Sequence, residues 1–117
     1  MKILITGAFG NIGKAVLKEV YERHHEITVF EVDNKKTRKA AKKYRKKSNV
    51  IFGDIRKYEN LKAAVQQADA VIHLAAIIPP TSKKHRDLTM DVNYGGTVNL
   101  VNAIKETARG TPFIFTS

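Results

Sequence analysis

Five short runs rich in β-branched and aliphatic residues, at 2–6, 27–32, 49–53, 70–75 and 112–116, alternate with four longer amphipathic segments at 11–23, 35–47, 57–67 and 87–109. Runs of this length that are apolar throughout, rather than every second residue, suit strands covered on both faces. The first helical segment places Ile12, Ala15, Val16 and Val20 on one stripe. The last does the same with Val92, Gly96, Leu100 and Ile104. Gly110 stands where a helix C-cap belongs, and Pro112 follows it. Regular strand–helix alternation implies parallel strands joined by right-handed crossovers, with helices on both faces of one sheet. Pro79-Pro80 breaks the chain after the fourth run and opens a loop of about ten residues. A length of 117 residues suits a single domain over 1–117.

Composition removes several function classes. With no cysteine, a disulfide scaffold, a cysteine nucleophile and a thiolate metal site are all excluded. The longest apolar run, 74–78, is far too short for a membrane span, and the first residues lack a signal-peptide core. A cytoplasmic chain with no membrane partner is expected. The net charge of +10 is concentrated between Asn34 and Ser48, which hold nine Lys or Arg and no acid. The rest carries 12 basic against 11 acidic residues, so the chain is a nearly neutral domain with one basic segment. That segment contains one aromatic, Tyr44, and no nucleic-acid motif. It reads as a solvated helix with Ala40, Ala41 and Tyr44 turned inward, binding polyanions weakly and in a salt-sensitive way, with no specific nucleic acid.

The chemistry is concentrated at Thr6-Gly7-Ala8-Phe9-Gly10-Asn11-Ile12-Gly13, directly between the first strand and the first helix. Glycines there permit a tight turn, close approach of a pyrophosphate to the backbone, and close packing of helix on strand. The first-turn N–H groups and the helix dipole then attract the anion. Two acids end the second strand, Glu31 and Asp33, 18 and 20 residues beyond Gly13. A carboxylate at about that distance accepts ribose hydroxyls and repels a 2′-phosphate, and spacing alone leaves both acids as candidates. Lys35, Lys36 and Arg38 could neutralise such a phosphate, so NAD is the expected cofactor with NADP not excluded. His73 reads as a packed strand residue beside the cofactor. His24, His25 and His85 show no metal-ligand spacing.

The Gly7-x-x-Gly10-x-x-Gly13 spacing, with Thr6 before it and Ile12 inside it, resembles the extended short-chain dehydrogenase/reductases, in particular their epimerase/dehydratase branch. Further stretches are similar in order along the whole chain: Gly53-Asp54-Ile55, His73-Leu74-Ala75-Ala76, Asp91-Val92-Asn93-Tyr94-Gly95-Gly96-Thr97 and Phe113-Ile114-Phe115-Thr116-Ser117. The resemblance implies a Rossmann-like, doubly wound α/β sheet of five parallel strands in the order 3-2-1-4-5, truncated after the fifth. It further implies that Gly7, Gly10, Asn11, Ile12 and Gly13 cradle the pyrophosphate and that Glu31, rather than Asp33, takes the ribose. Asp54 and Ile55 would meet the adenine, and Leu74, Ala75, Ala76 and Asn93 would line the way to the nicotinamide.

Asn11 stands where the family often has an aromatic. The family's catalytic Ser or Thr and its Tyr-x-x-x-Lys pair lie beyond Ser117, as does its substrate-binding half. Tyr58 and Lys62 fit that pattern literally but start the third helix, on its outer face, and are read as coincidence. No catalytic residue is assigned, and the expected role is dinucleotide binding by the N-terminal half of a sugar-nucleotide epimerase/dehydratase-like protein, without turnover by itself. The alternatives are a nucleotide-sensing or split-assembly module completed by a C-terminal half, and polyanion binding through 35–47. An uncovered fifth-strand edge and fourth helix predict a homodimer.

Overall fold

The computed structural model describes residues 1–75, 86–107 and 112–115. Strands β1 (Lys2–Thr6), β2 (Glu26–Glu31), β3 (Asn49–Phe52) and β4 (Ala70–His73) form a parallel sheet ordered β3-β2-β1-β4. A three-residue β5 (Phe113–Phe115) continues it in parallel at the β4 edge, pairing Ile72 with Ile114. The helices are α1 (Asn11–Glu22), α2 (Lys35–Tyr44), α3 (Tyr58–Gln66), α4 (Arg86–Met90) and α5 (Gly96–Thr107). This is a Rossmann-like α/β arrangement.

Strand alternation builds two cores. Ile3 and Ile5 of β1 join Ile27 and Val29 of β2 under α1 and α2, with Leu17, Val20 and Tyr44 packed on them. Leu4 and Phe30, one residue out of phase, face the other way with Val71 and meet Leu61, Val65, Leu100 and Ala103 of α3 and α5. Because successive strand side chains point to opposite faces, runs that are apolar throughout supply both cores at once.

The structure corrects three expectations in detail. First, the inward stripe of α1 is Gly13, Leu17 and Val20, while Ile12 is 65% exposed. The rotation is set by Gly13, which must face the turn because a Cβ there would lie 2.3 Å from the Gly7 carbonyl oxygen. Second, the segment 87–109 is not one helix. A π-helical turn, Asp91–Gly95, separates α4 from α5, and the Thr97 hydroxyl donates to the Asn93 carbonyl across it at 2.7 Å. The Gly95-Gly96 pair has little intrinsic preference to keep a regular helix there, and single π turns recur at functional sites. Third, α2 ends at Tyr44, whose carbonyl accepts the N–H groups of Lys47 and Ser48 in a closing turn. The Gly110 cap and the Pro79-Pro80 break lie outside the described residues.

Helix α2 begins in a reciprocal cap: the Asn34 side chain accepts from Thr37 N–H at 2.9 Å, and Thr37 Oγ1 accepts from Asn34 N–H at 3.0 Å. Asn34→Ala should lower the unfolding free energy by about 1 kcal/mol in urea melts. No change would show that α2 is held by packing alone.

Candidate functional site

The segments singled out in the sequence converge at the C-terminal ends of the strands, where open parallel sheets place their ligand crevice. The turn after β1 is shaped by two close approaches. Gly7 has φ +72°, and a Cβ there would sit 2.6 Å from the Ala75 nitrogen. Gly13 brings the start of α1 onto the turn itself. Gly10 differs: its φ of −76° suits any residue, and a Cβ would meet only the Gly7 oxygen, at 3.7 Å. Gly10, Asn11 and Ile12 are exposed, and no side chain caps α1. The first-turn N–H groups, which have no partner within any α-helix, therefore open towards an incoming anion.

Glu31 ends β2 and reaches back 22 residues to the turn. Its Oε2 accepts from Phe9 N–H at 3.3 Å, and its Oε1 accepts from Val32 N–H at 3.2 Å. Burial raises its pKa, against the lowering effect of those two N–H groups. Asp33 goes elsewhere. It pairs fork-to-fork with Arg38, Nη2 to Oδ2 at 2.8 Å, and this hydrogen bonding lowers its pKa. Of the two candidate acids, only Glu31 contacts the glycine turn.

Asp54 accepts from Arg56 Nη2 at 2.7 Å and from Arg56 N–H at 2.9 Å, which holds its pKa down. The adjoining Ile55 is buried against Gly96, where α5 starts. The Leu74 and Ala75 N–H groups both donate to Thr6 Oγ1 at 3.2 Å, which ties the end of β4 to the end of β1. Asn93 lies in the π turn. Ala76 lies outside the described residues.

A buried polar chain links these parts. His73 is 5% exposed, with Nδ1 2.6 Å from Thr6 Oγ1 and Nε2 2.9 Å from Thr97 Oγ1. Burial depresses its pKa to about 4, so the ring is neutral at pH 7. The Thr97 hydroxyl proton is already committed to the Asn93 carbonyl, so Thr97 accepts from Nε2–H and Nδ1 accepts the Thr6 hydroxyl proton. The chain then runs from Leu74 and Ala75 N–H through Thr6, His73 and Thr97 to Asn93 with each of these bonds supplied with a donor. Neither threonine was assigned a role from the sequence. Their residue type carries no signal until the sheet register sets Thr6 opposite His73.

Tyr58 and Lys62 do not lie on an outer face as expected: they belong to the α3–α5 packing, with Tyr58 against the core beneath it. The Lys62 ammonium is 3.6 Å from Glu106, and the Glu106 carboxylate, with desolvation, pushes the Tyr58 phenol up to about 12. A general acid/base tyrosine needs the opposite shift. This pair is structural.

A second feature was also missed in the sequence. Phe9 and Tyr44 stack with centroids 5.8 Å apart and planes at 17°. They border a cavity of about 520 Å³ that Glu31 shares with Lys14, Lys36, Lys39 and Lys43. The spacing 36, 39, 43 is helical, and could have singled out one face of α2. Arg38 and Lys42 line a different cavity, beside Asp33 and β3. Among the described residues no group of His, Asp or Glu could hold a metal, and no helix is long and apolar enough to cross a membrane.

Known proteins share this arrangement. A 29% identical relative, UDP-glucose 4-epimerase of Mycoplasma pneumoniae, aligns with 99% of the chain and 35% of its own length. The 3-beta-hydroxysteroid dehydrogenase of Mycolicibacterium neoaurum is 32% identical over 87% of the chain and 28% of its own length. Among solved structures, UDP-glucose-4-epimerase from Stenotrophomonas maltophila, with bound NAD, superposes with a TM-score of 0.83 at 25% identity, over all of this chain and 37% of that one. A short-chain dehydrogenase/reductase superfamily protein from Agrobacterium tumefaciens, also with bound NAD, gives 0.78 at 26% identity, over all of this chain and 32% of that one. The chain thus spans about a third of the length of the relatives it matches, and they include the epimerases that its glycine spacing resembles. The sequence profile of the 3-beta hydroxysteroid dehydrogenase/isomerase family matches residues 4–117, and the chain belongs to that family.

Proposed function

We propose that the chain binds NAD across the strand ends, as the cofactor-binding portion of a protein that acts by epimerase- or dehydrogenase-type chemistry. The observation that carries this reading is the Glu31–Phe9 contact, which gathers the glycine turn, the open start of α1 and a carboxylate into one crevice. The residues fit the group. The backbone approaches at Gly7 and Gly13 leave no room for side chains, and exposed Gly10 leaves room for a pyrophosphate. In this reading Gly7, Gly10, Asn11, Ile12 and Gly13 hold the pyrophosphate and Glu31 accepts from the ribose hydroxyls. Asp54 and Ile55 border the adenine, and Leu74, Ala75, Ala76 and Asn93 lead towards the nicotinamide. NAD supplies a hydride acceptor, while the residues of this chain bind and orient it. Catalytic groups and a substrate pocket come from a complementing C-terminal portion.

Calorimetric titration tests the assignment. Glu31→Ala should weaken NAD binding by about tenfold or more, the worth of a charge-assisted hydrogen bond. Affinity equal to the parent chain would remove Glu31 from the ribose. A second reading concerns association. Ile114 of β5 is 61% exposed on the sheet edge, the side on which a second copy or a complementing portion would add. Light scattering at high concentration should give a dimer mass, and a clean monomer would contradict self-association there.

A further inference from the structure

The sheet ends at β3, and among the described residues no element pairs with its outer edge. Its inner edge bonds to β2, and the Gly53 N–H extends that ladder by donating to the Glu31 carbonyl at 3.0 Å. Backbone groups alternate sides along a parallel strand, so those of Val50 and Phe52 point outward. The side chains of the same two residues face α2. Val50 packs on the core beneath that helix, and Phe52, 37% exposed, stands beside it. With Ala41 they line a cavity of about 610 Å³ between the C-terminal half of α2 and the sheet edge. An unpaired strand flanked by an apolar cavity is what an extended segment needs in order to add to a sheet.

Charge decides which segment. Asp33 is the one acid lining the cavity, and Arg38 holds it in a fork, Nη2 to Oδ2 at 2.8 Å. Lys42 and Arg45 are exposed on the rim, and neither makes an ion pair among the described residues. They stand about one helical turn apart, roughly 5 Å along the axis. Alternate side chains on one face of a strand are about 6.6 Å apart, so acids at positions i and i+2 match the two cations. A second copy of this chain is the wrong occupant. Pairing β3 with β3 about a two-fold axis would bring both copies of Lys42 and Arg45 to one edge, where like charges repel. We infer that the β3 edge and the cavity beneath α2 form a docking site for an extended peptide segment of a partner protein, with acidic side chains at alternate positions, added as a further strand of the sheet. The outward groups of Val50 and Phe52 bond its backbone, and Lys42 and Arg45 pair with its acids. The site is separate from the proposed dinucleotide crevice, because Glu31 and the glycine turn line a different cavity. It also differs from diffuse polyanion binding, since it demands a strand as well as charge.

The test is calorimetry at low salt on the full chain with a blocked octapeptide that alternates glutamate and valine. A control peptide of the same charge has proline in place of the two central valines, which removes two N–H groups and breaks the strand. Both are titrated into the parent, into Lys42→Ala/Arg45→Ala, and into Lys36→Ala/Lys39→Ala, which removes equal charge from the other face of α2. All four side chains are exposed, so folding should be unaffected. The alternating peptide should bind the parent, lose tenfold or more in the first variant and stay within twofold in the second. The proline peptide should bind the parent at least tenfold more weakly, and the alternating peptide should shift the amides of 50–52. Equal binding of the two peptides, or equal loss in the two variants, would overturn the site in favour of diffuse attraction to the basic helix. A folded parent that binds neither peptide would overturn it too. A dimer in light scattering that the alternating peptide dissociates would give the edge to a second copy instead.

Discussion

Replacing Gly10 with Asp should leave the protein folded and abolish dinucleotide binding. The substitution separates two roles that glycines play in the same turn. At Gly10 the backbone is extended and a Cβ meets only an oxygen 3.7 Å away, so a side chain is sterically free. Gly10 is also the N-cap of α1, with no side chain to serve it, and Asp is among the best capping residues. Urea melts should therefore show stability unchanged or slightly increased. The ligand meets the opposite effect. A carboxylate about 5 Å from a pyrophosphate costs about 3 kcal/mol at an effective dielectric near 20, a weakening of about 100-fold or more. Gly13→Ala is the mirror case. Its Cβ would lie 2.3 Å from the Gly7 oxygen and 2.6 Å from the Ala8 carbonyl carbon, both backbone atoms. The start of α1 has to move, at a cost of about 3 kcal/mol or more. If Gly10→Asp bound NAD like the parent, the pyrophosphate would not lie on this turn.

Acid should weaken the fold through His73 well before the carboxylates titrate. The buried ring has its pKa depressed from 6.5 to about 4, so between those values the unfolded chain takes up a proton that the folded chain does not. Stability is therefore complete above about pH 6.5 and falls as pH drops towards 4, by about 3 kcal/mol in total. That is a large share of the 5–15 kcal/mol typical of a domain. Glu31 acts in the opposite direction. Its pKa is raised, so the folded chain holds a proton more tightly than the unfolded one, which flattens the slope just above pH 4.5. Asp33 and Asp54, both lowered, contribute losses only as pH falls through about 3.8 and below. Urea unfolding at pH 7 and pH 4.5 should differ by about 2–3 kcal/mol in the parent chain and far less in His73→Gln. The same difference in both proteins would place the acid sensitivity elsewhere.

The strands and the glycine turn were legible because both are written locally, whereas the strand order followed only from the family resemblance. Continuous apolar runs signal buried parallel strands, and the glycine trio sits between a strand and a helix. The rotation of α1 was not legible. Ile12 is the larger apolar residue and by periodicity belongs inside, but the backbone approach at Gly13 decides which face turns in, and that approach exists only when Gly7 has folded back. The choice between Glu31 and Asp33 could not be made from spacing, because it depends on Arg38 drawing Asp33 away. The π turn and the Thr6–His73–Thr97 chain are tertiary in origin. Ordinary threonines acquire partners only when β1, β4 and α5 come together. The basic segment looked uniform as a sequence. Folding divides it between a cavity shared with Glu31 and another beside Asp33.

Backbone amide NMR during titration with NAD shows whether a dinucleotide lies across the strand ends. Binding there should give saturable shifts concentrated at 7–14, 31–32, 54–55, 74–75 and 93, with the α3–α5 contact at Tyr58, Lys62 and Glu106 unmoved. Shifts confined to the outer face of α2, or no shifts from a folded chain, would contradict it.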